Sequence, residues 1–553
     1  MNIADIKPEN FIEEIIVKDM KEGRFDRVQF RHPPEPSGYL HIGHVRNIYL
    51  NYGLAKKFGG FCNLRYDDTN PLKESQEFVD SIQEDVKWLG YSWNEITYAT
   101  DYFPQNYEIA VKLIKEGKAY VDDLTPEEVT AYRGTLTEPG KNSPYRDRSV
   151  EENLELFQKM KDGELPQGKC CLRAKIDMTH PNMNMRDPVI YRIQFTKHHR
   201  IGNDWNIYPT YDFAHPLDDA LEGVTHSICG PEFENHRVLY EWVVDNSGLE
   251  NRPRQIEYAN LYLDGVILGK RNIKRLVQDK VVSGFDDPRL YTLCALRRRG
   301  VEPESLLEFV EAAGIGKGSV VQDNEMLNYY VRNTLNRDSM RIMAVINPLK
   351  LVIENMPEDR AEDIVLDSYP QNEESEETHT HKFADVIYIE REDFMAEPVK
   401  KFFRVFPGNR VRLKGAGIIH CTRFDADENG VPTCVYAECE PKDYEGKVKS
   451  TIHWINPADA LKAEVRFFDS LTVEESKEEV EGEEKNIDDI PLNPDSLVVY
   501  PDAYVEKGIE YNLEHKYQFM RNGYFCLDYD SKTQDDKLIF NRTIALKDNK
   551  KRK

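Results

Sequence analysis

At 553 residues the chain is too long for one hydrophobic core, and at about 150 residues per domain it divides into roughly three to five. It has no apolar run of about 18 residues and no signal-peptide pattern, and its mean hydropathy is −0.65, so a soluble, cytoplasmic protein without a membrane partner is expected. A formal net charge of −25 excludes a protein that coats nucleic acid without specificity, because phosphate neutralisation needs Lys and Arg, but not one that gathers its basic residues on one face.

Residues 1–25 read as an N-terminal helical segment. Val28-Gln29-Phe30-Arg31 then alternates like a strand, and Val45 to Phe58 carries a helical pattern. Between them, Pro33-Pro34-Glu35-Pro36-Ser37-Gly38-Tyr39-Leu40-His41-Ile42-Gly43-His44 reads as a stiff turn into a helix N-terminus. The prolines fix φ, Gly38 lets the backbone bend, and first-turn N–H groups point where a polyphosphate can sit. His41 and His44 are three apart, so both imidazoles face one side, as donors for charge on a phosphate or simply as a cap with surface histidines. Gly60–Pro71 follows as a strand ending in a polar turn that carries Asp67, and Phe78, Val79, Ile82, Val86 and Leu89 form one helical stripe closed by Gly90. Strand, helix, strand, helix predicts a parallel sheet with a ligand at the strand ends, giving the first half of a nucleotide-binding fold over 26–100.

Residues 101–210 read as an insertion, with helix starts at Thr125-Pro126-Glu127-Glu128 and Ser149-Val150-Glu151-Glu152. A turn-rich loop from Arg133 to Gly140 offers the apolar Leu136, and strands are expected at Cys171–Ile176 and Val189–Phe195. The second half, 211–270, resumes from Trp205–His215, with a helix-like Leu217–Leu221, a helix at Arg237–Val244 and a strand at Gln255–Leu261. Segments over 271–339 are helical, including Ser305–Ala313 and Glu325–Leu335. Beyond Met340 the period changes to two in many short runs, the first at Ile342–Ile353, which argues for β-barrels over 340–475 and 476–546. The acidic run Glu474–Asp489 reads as a mobile loop and the basic tail 547–553 as disordered. Nine cysteines lack a C-x-x-C pair and are expected to be reduced; His379 and His381 read as part of a solvated loop, with a metal contact as the alternative, and no bound metal is expected.

The Pro33–His44 stretch, ending in His41-Ile42-Gly43-His44, resembles the HIGH motif of class I aminoacyl-tRNA synthetases, and its flanks resemble the glutamyl/glutaminyl branch, the likeness running from about Asn10 to Leu546. Val266-Ile267-Leu268-Gly269-Lys270-Arg271 resembles the same family's KMSKS-type loop, with Lys270 as the matching lysine; Leu268 and Gly269 replace the usual Met and Ser, and Asn260 stands in place of an arginine. The resemblance implies a Rossmann-type α/β catalytic domain with an inserted acceptor-stem domain, a helical subdomain and two C-terminal all-β anticodon-binding barrels. It implies that His41, His44 and Lys270 are catalytic, and that Pro34, Glu35, Pro36, Gly43, Asn47 and Leu268 join them around ATP with Mg²⁺. For the amino acid it implies Arg31, Asp67, Tyr211, His215, Cys229 and Gln255; Cys229 stands where glutamyl relatives have an arginine, which favours glutamine over glutamate. For the tRNA acceptor it implies Leu136 and Asn235, the latter replacing an aspartate, with Gly230-Pro231 departing from the usual Thr-Leu nearby. For the anticodon it implies Arg341, Arg404, Arg412, Lys414 and Gln518. The expected activity is ligation of L-glutamine to tRNA(Gln) by a cytoplasmic monomer; a glutamyl or non-discriminating enzyme, and a catalytically impaired tRNA-binding paralogue, are the alternatives.

Overall fold

The computed structural model describes residues 6–356, 363–473, 486–531 and 537–547, so most of the expected acidic loop and the basic tail lie outside the described residues. The chain separates into two compact units, one of Met1–Leu263 with Val310–Gln322 and one of Asp264–Phe309 with Asp323–Lys553. No helix among the described residues is long and apolar enough to cross a membrane.

In the first unit, the strands Gln29–His32, Phe61–Tyr66 and Ile96–Tyr98 pair in parallel, with Gln29 opposite Phe61 and Leu64 opposite Ile96. All four residues of Gln29–His32 are buried, as expected for a parallel strand covered on both faces. The helix Ile42–Phe58 makes the first crossover and stops at Gly59, whose φ of 63° is the left-handed conformation that glycine adopts without strain. On the far side of Gln29–His32 the chain returns at Thr225, whose N–H donates to Gln29 O at 2.9 Å, and leads into His226–Cys229, which pairs in parallel with Arg254–Glu257. The strand ends therefore converge from both halves.

Between these halves, Ala119–Asp122, Cys171–Ala174, Val189–Ile193 and Ile207–Pro209 form a four-stranded antiparallel sheet. Leu113, Phe157, Met160, Leu172 and Tyr191 fill the core beneath it. Two expectations are corrected here. Helix begins at Tyr211, not Leu217, and runs to Glu222 through Pro216; the expected strand Gln255–Leu261 is two strands, Arg254–Glu257 and Leu261–Leu263. A proline inside a helix is a poor start signal, and here burial of Phe213, Ala214 and Leu217 outweighs the lost donor.

Among the described residues the second unit carries the helices Lys270–Gln278, Leu293–Arg299 and Asn324–Asp338, a six-stranded and a seven-stranded β-sheet, and a two-stranded one. The six-stranded sheet runs from Val386–Glu390 at one edge to Thr451–Ile452 at the other, and nearly closes where Tyr388 and Ile455 exchange N–H···O bonds of 2.7 and 2.9 Å. Leu351, Ile389, Val411, Val435 and Trp454 fill it. The seven-stranded sheet has Met340–Ile342 at one edge and Ala344–Val345 at the other, and these follow one another in the chain, so it too is nearly closed. The expected strand Ile342–Ile353 is thus three pieces, because the chain leaves one sheet for the next after Val345. The expected solvated loop at His379 and His381 is the strand Thr378–Lys382, paired with Asp363–Asp367, and His381 is buried.

Candidate active site

The residues at the start of Ile42–Phe58 cap that helix themselves. His41 Nδ1 accepts the Gly43 N–H at 3.1 Å, His44 Nδ1 accepts the His41 N–H at 3.0 Å, and the ring centroids lie 3.9 Å apart. Each ring uses Nδ1 as an acceptor, so in its neutral form the proton sits on Nε2. The helix cap read from the sequence is therefore observed, formed by the two histidine rings together. A Cβ at Gly43 would lie 2.9 Å from His41 Cε1, so the ring would have to shift from this pose. The turn is tied to the end of the next strand, with Asp67 N–H donating to Pro34 O and Ser75 N–H to Pro36 O, both at 3.1 Å. Pro34 and Pro36 are buried, Glu35 is exposed, and the Asn47 side chain is held by His32 Nδ1 at 2.7 Å and the Tyr258 hydroxyl at 3.0 Å.

Below this turn lies a buried ionic network. Arg31, with no exposed surface, donates to Asp219 Oδ1 at 3.0 Å, to Ile228 O at 3.2 Å and to Ser227 Oγ at 2.7 Å, and its Nη2 lies 2.5 Å from His215 Nε2 and 3.7 Å from Cys229 Sγ. Arg65 donates to the same Asp219 oxygen at 2.6 Å and lies 3.5 Å from Glu222, while the Tyr240 hydroxyl donates to Asp219 Oδ2 at 2.9 Å. Burial alone would raise the Asp219 carboxyl, but the two guanidiniums beside it hold it well below the usual carboxylate range. Burial pushes His215 down to about 4, so it is neutral at pH 7, and raises the Cys229 thiol. Among the described residues of this network, two arginines thus face two carboxylates, with no cation left over. Asp67, half-buried at the rim, is pushed up to about 6 by burial, against its bond from Thr69 Oγ1 at 3.0 Å. Tyr211 packs its ring 4.9 Å from His215, and Gln255 donates to Phe233 O at 3.0 Å behind it.

Leu136 is 84% exposed at the tip of a loop whose carbonyls at Arg133, Thr135 and Glu138 all accept bonds from Arg186 Nη1. The Asn235 side chain is exposed, and its carbonyl accepts from Asn182 and Asn184. In the second unit, Lys270 is exposed at the first position of the helix Lys270–Gln278, preceded by half-buried Leu268. There too, Arg341, Lys414 and Gln518 line one cavity of about 510 Å³ with Asp367, His453 and Arg521, and Arg341 Nε donates to Gln518 at 2.6 Å. Arg404 does not line it: its guanidinium is bonded to buried Asp393 at 3.0 Å. Arg412 is exposed on the strand Arg410–Leu413, also outside that lining.

Residues 27–337 match the family described as tRNA synthetases class I (E and Q), catalytic domain; 339–440 and 451–528 match two anticodon-binding domain families of the same group. The chain belongs to the class I E and Q tRNA synthetases. It is 50% identical to the glutamine–tRNA ligase of Clostridium kluyveri, over 97% of each chain, and 49% identical to that of Clostridium perfringens, over 97% of this chain and 98% of the other. The glutamine–tRNA ligase of Vibrio parahaemolyticus is 47% identical, over 99% of each. Within this synthetase, sequence reasoning missed Asp219, Arg65, Ser227 and Tyr240. One signal was present: Tyr211, His215 and Asp219 are spaced by four, which places them on one helical face once the helix is started at Tyr211.

Proposed function

We propose that this protein joins L-glutamine to tRNA(Gln), using ATP and releasing AMP and pyrophosphate. The glutamine carboxylate attacks the α-phosphorus, pyrophosphate leaves, and the adenylate is then attacked by a terminal ribose 2′-OH of the tRNA, which expels AMP. No covalent enzyme intermediate is formed, so positioning and charge stabilisation carry the rate. The Nε2–H groups of His41 and His44 donate to phosphate oxygens at the helix N-terminus, and Lys270 balances charge on the leaving pyrophosphate. Magnesium enters with the nucleotide as its counter-ion. Asp67 receives the α-ammonium, Tyr211 reads the side-chain amide, and Arg31 holds the pocket floor as a fixed cation.

The observation that carries glutamine over glutamate is the charge balance under Tyr211. Arg31 and Arg65 are matched by Asp219 and Glu222, His215 is neutral, and position 229 is a thiol. A side-chain carboxylate entering there loses water without gaining a cation, whereas a neutral amide loses far less. Leu136 is the wedge against the first acceptor pair, and Arg341, Lys414 and Gln518 read splayed anticodon bases. A reducing, cytoplasmic setting agrees with nine cysteines that are all free thiols.

The test is charging of transcribed glutamine tRNA with radiolabelled glutamine or glutamate. Charging with glutamine alone is expected. Charging with glutamate at comparable kcat/KM, or with neither amino acid despite tRNA binding, overturns the reading.

A further inference from the structure

Away from the catalytic unit, three side chains converge that neither catalysis nor anticodon reading uses. His379 and His381 lie on one strand, Thr378–Lys382, and Glu506 ends the strand Leu497–Glu506. One nitrogen from each ring and one carboxylate oxygen all lie within 4.8 Å of one another, with His381 Nε2 2.9 Å and His379 Nε2 3.6 Å from the carboxylate. His381 and Glu506 are each only 5% exposed. Both Nε2 atoms are buried, and among the described residues neither has a hydrogen-bond partner, so neither N–H is aimed at the carboxylate as an ion pair requires. Two buried ring nitrogens without partners are costly unless something else occupies their lone pairs.

We propose that His379, His381 and Glu506 form a binding site for a divalent first-row transition ion, with zinc as the natural fit. Two imidazoles and a carboxylate are a standard zinc donor set, and ligand atoms about 2.1 Å from one tetrahedral ion lie ~3.4 Å apart, within the spread seen here. The outer contacts suit this. His379 Nδ1 lies 3.1 Å from the hydroxyl of buried Ser368, and a ring that donates Nδ1–H to that oxygen keeps its Nε2 lone pair for the ion. Glu506 Oε2 is oriented by the Met343 N–H at 2.8 Å. The second cluster of this kind, Glu74, His198 and His199, differs at its central ring: His198 Nε2 is 2.9 Å from Asp68 O, and its Nδ1 accepts two backbone N–H groups, so neither nitrogen of that ring is left for an ion.

The ion would pin the hairpin Asp363–Lys382 to the strand ending at Glu506. Ser368, which touches His379, also accepts the Arg341 N–H at 2.7 Å, so the site lies beside the cavity that contains Arg341. Its role is structural, and binding is read without tRNA or glutamine, separately from the proposed charging reaction.

The test uses tag-free, full-length protein stripped with a chelator, titrated with Zn(II) by calorimetry and with Co(II) by visible absorption. The wild type is expected to bind one more equivalent of zinc than His379→Ala or Glu506→Gln, to show a cobalt band that both variants lose, and to gain unfolding temperature with zinc where they do not. Should His379→Ala fail to fold, Glu506→Gln decides, since it keeps an acceptor for Met343. Equal zinc stoichiometry and identical cobalt spectra in the wild type and Glu506→Gln overturn the site.

Discussion

Gly43 shows how a residue without a side chain can set the pose of a neighbouring ring, and on the proposed function that ring faces ATP. The missing Cβ is what lets the His41 ring fold back onto its own helix end. Gly43→Ala is therefore expected to lower the kcat/KM of ATP–pyrophosphate exchange about tenfold or more, ~1.4 kcal/mol or more in barrier, while the unfolding midpoint stays near wild type. Equal exchange rates would show that the ring does not need this pose. Asp67 gives the active site a pH dependence. Burial raises its carboxyl to about 6, and an α-ammonium favours the ionised form, so binding releases a proton below that pH. The KM for glutamine should be flat above pH 7 and rise towards tenfold per unit as pH falls below about 6. Asp67→Asn should raise KM and remove that inflection.

Among the elements, the Arg133–Gly140 loop is built to hold an exposed apolar tip. Arg186 binds three of its carbonyls, and Gly134, at φ 76°, brings the backbone so close to Glu138 O that a Cβ would lie 2.6 Å from it. A leucine that is 84% exposed adds almost nothing to folding, so Leu136→Ala should change stability by less than about 0.5 kcal/mol. It should nonetheless slow tRNA charging, and a tRNA whose first acceptor pair is mismatched should restore the rate. Slowing without rescue would count against the wedge. The helix Tyr211–Glu222 is the other element that matters, since one of its faces carries Tyr211, His215 and Asp219.

For the whole molecule, a net charge of −25 means that RNA affinity must come from local cations. Lys414, exposed and lining the cavity with Arg341, is such a site, whereas Arg404 is bonded to Asp393. Lys414→Ala should lower the slope of log affinity for tRNA against log salt by about 0.7. Arg404→Ala should act mainly on stability, because it removes one partner from a buried carboxylate. Salt titrations of tRNA binding and denaturant midpoints separate the two.

The sequence by itself determined what depends on neighbours along the chain. The stiff turn before His41, the period-two runs beyond Met340, the loop around Leu136 and the spacing of His41 and His44 follow from local sterics and periodicity. Only the tertiary structure decided what depends on residues far apart. Asp219 reaches Arg31 across 188 positions and Arg65 across 154, so nothing local marks it as the counter-charge that leaves the pocket without a surplus cation. The helix runs from Tyr211 through Pro216 rather than starting at Leu217, because burial of its apolar face outweighs the donor that the proline lacks. Glu506 meets His379 and His381 from more than a hundred residues away, on another strand, and a solvated loop becomes a buried cluster only when the two sheets form. Periodicity records which face of an element is buried; which buried charges meet is set by how the elements pack, and that carries no short-range signal.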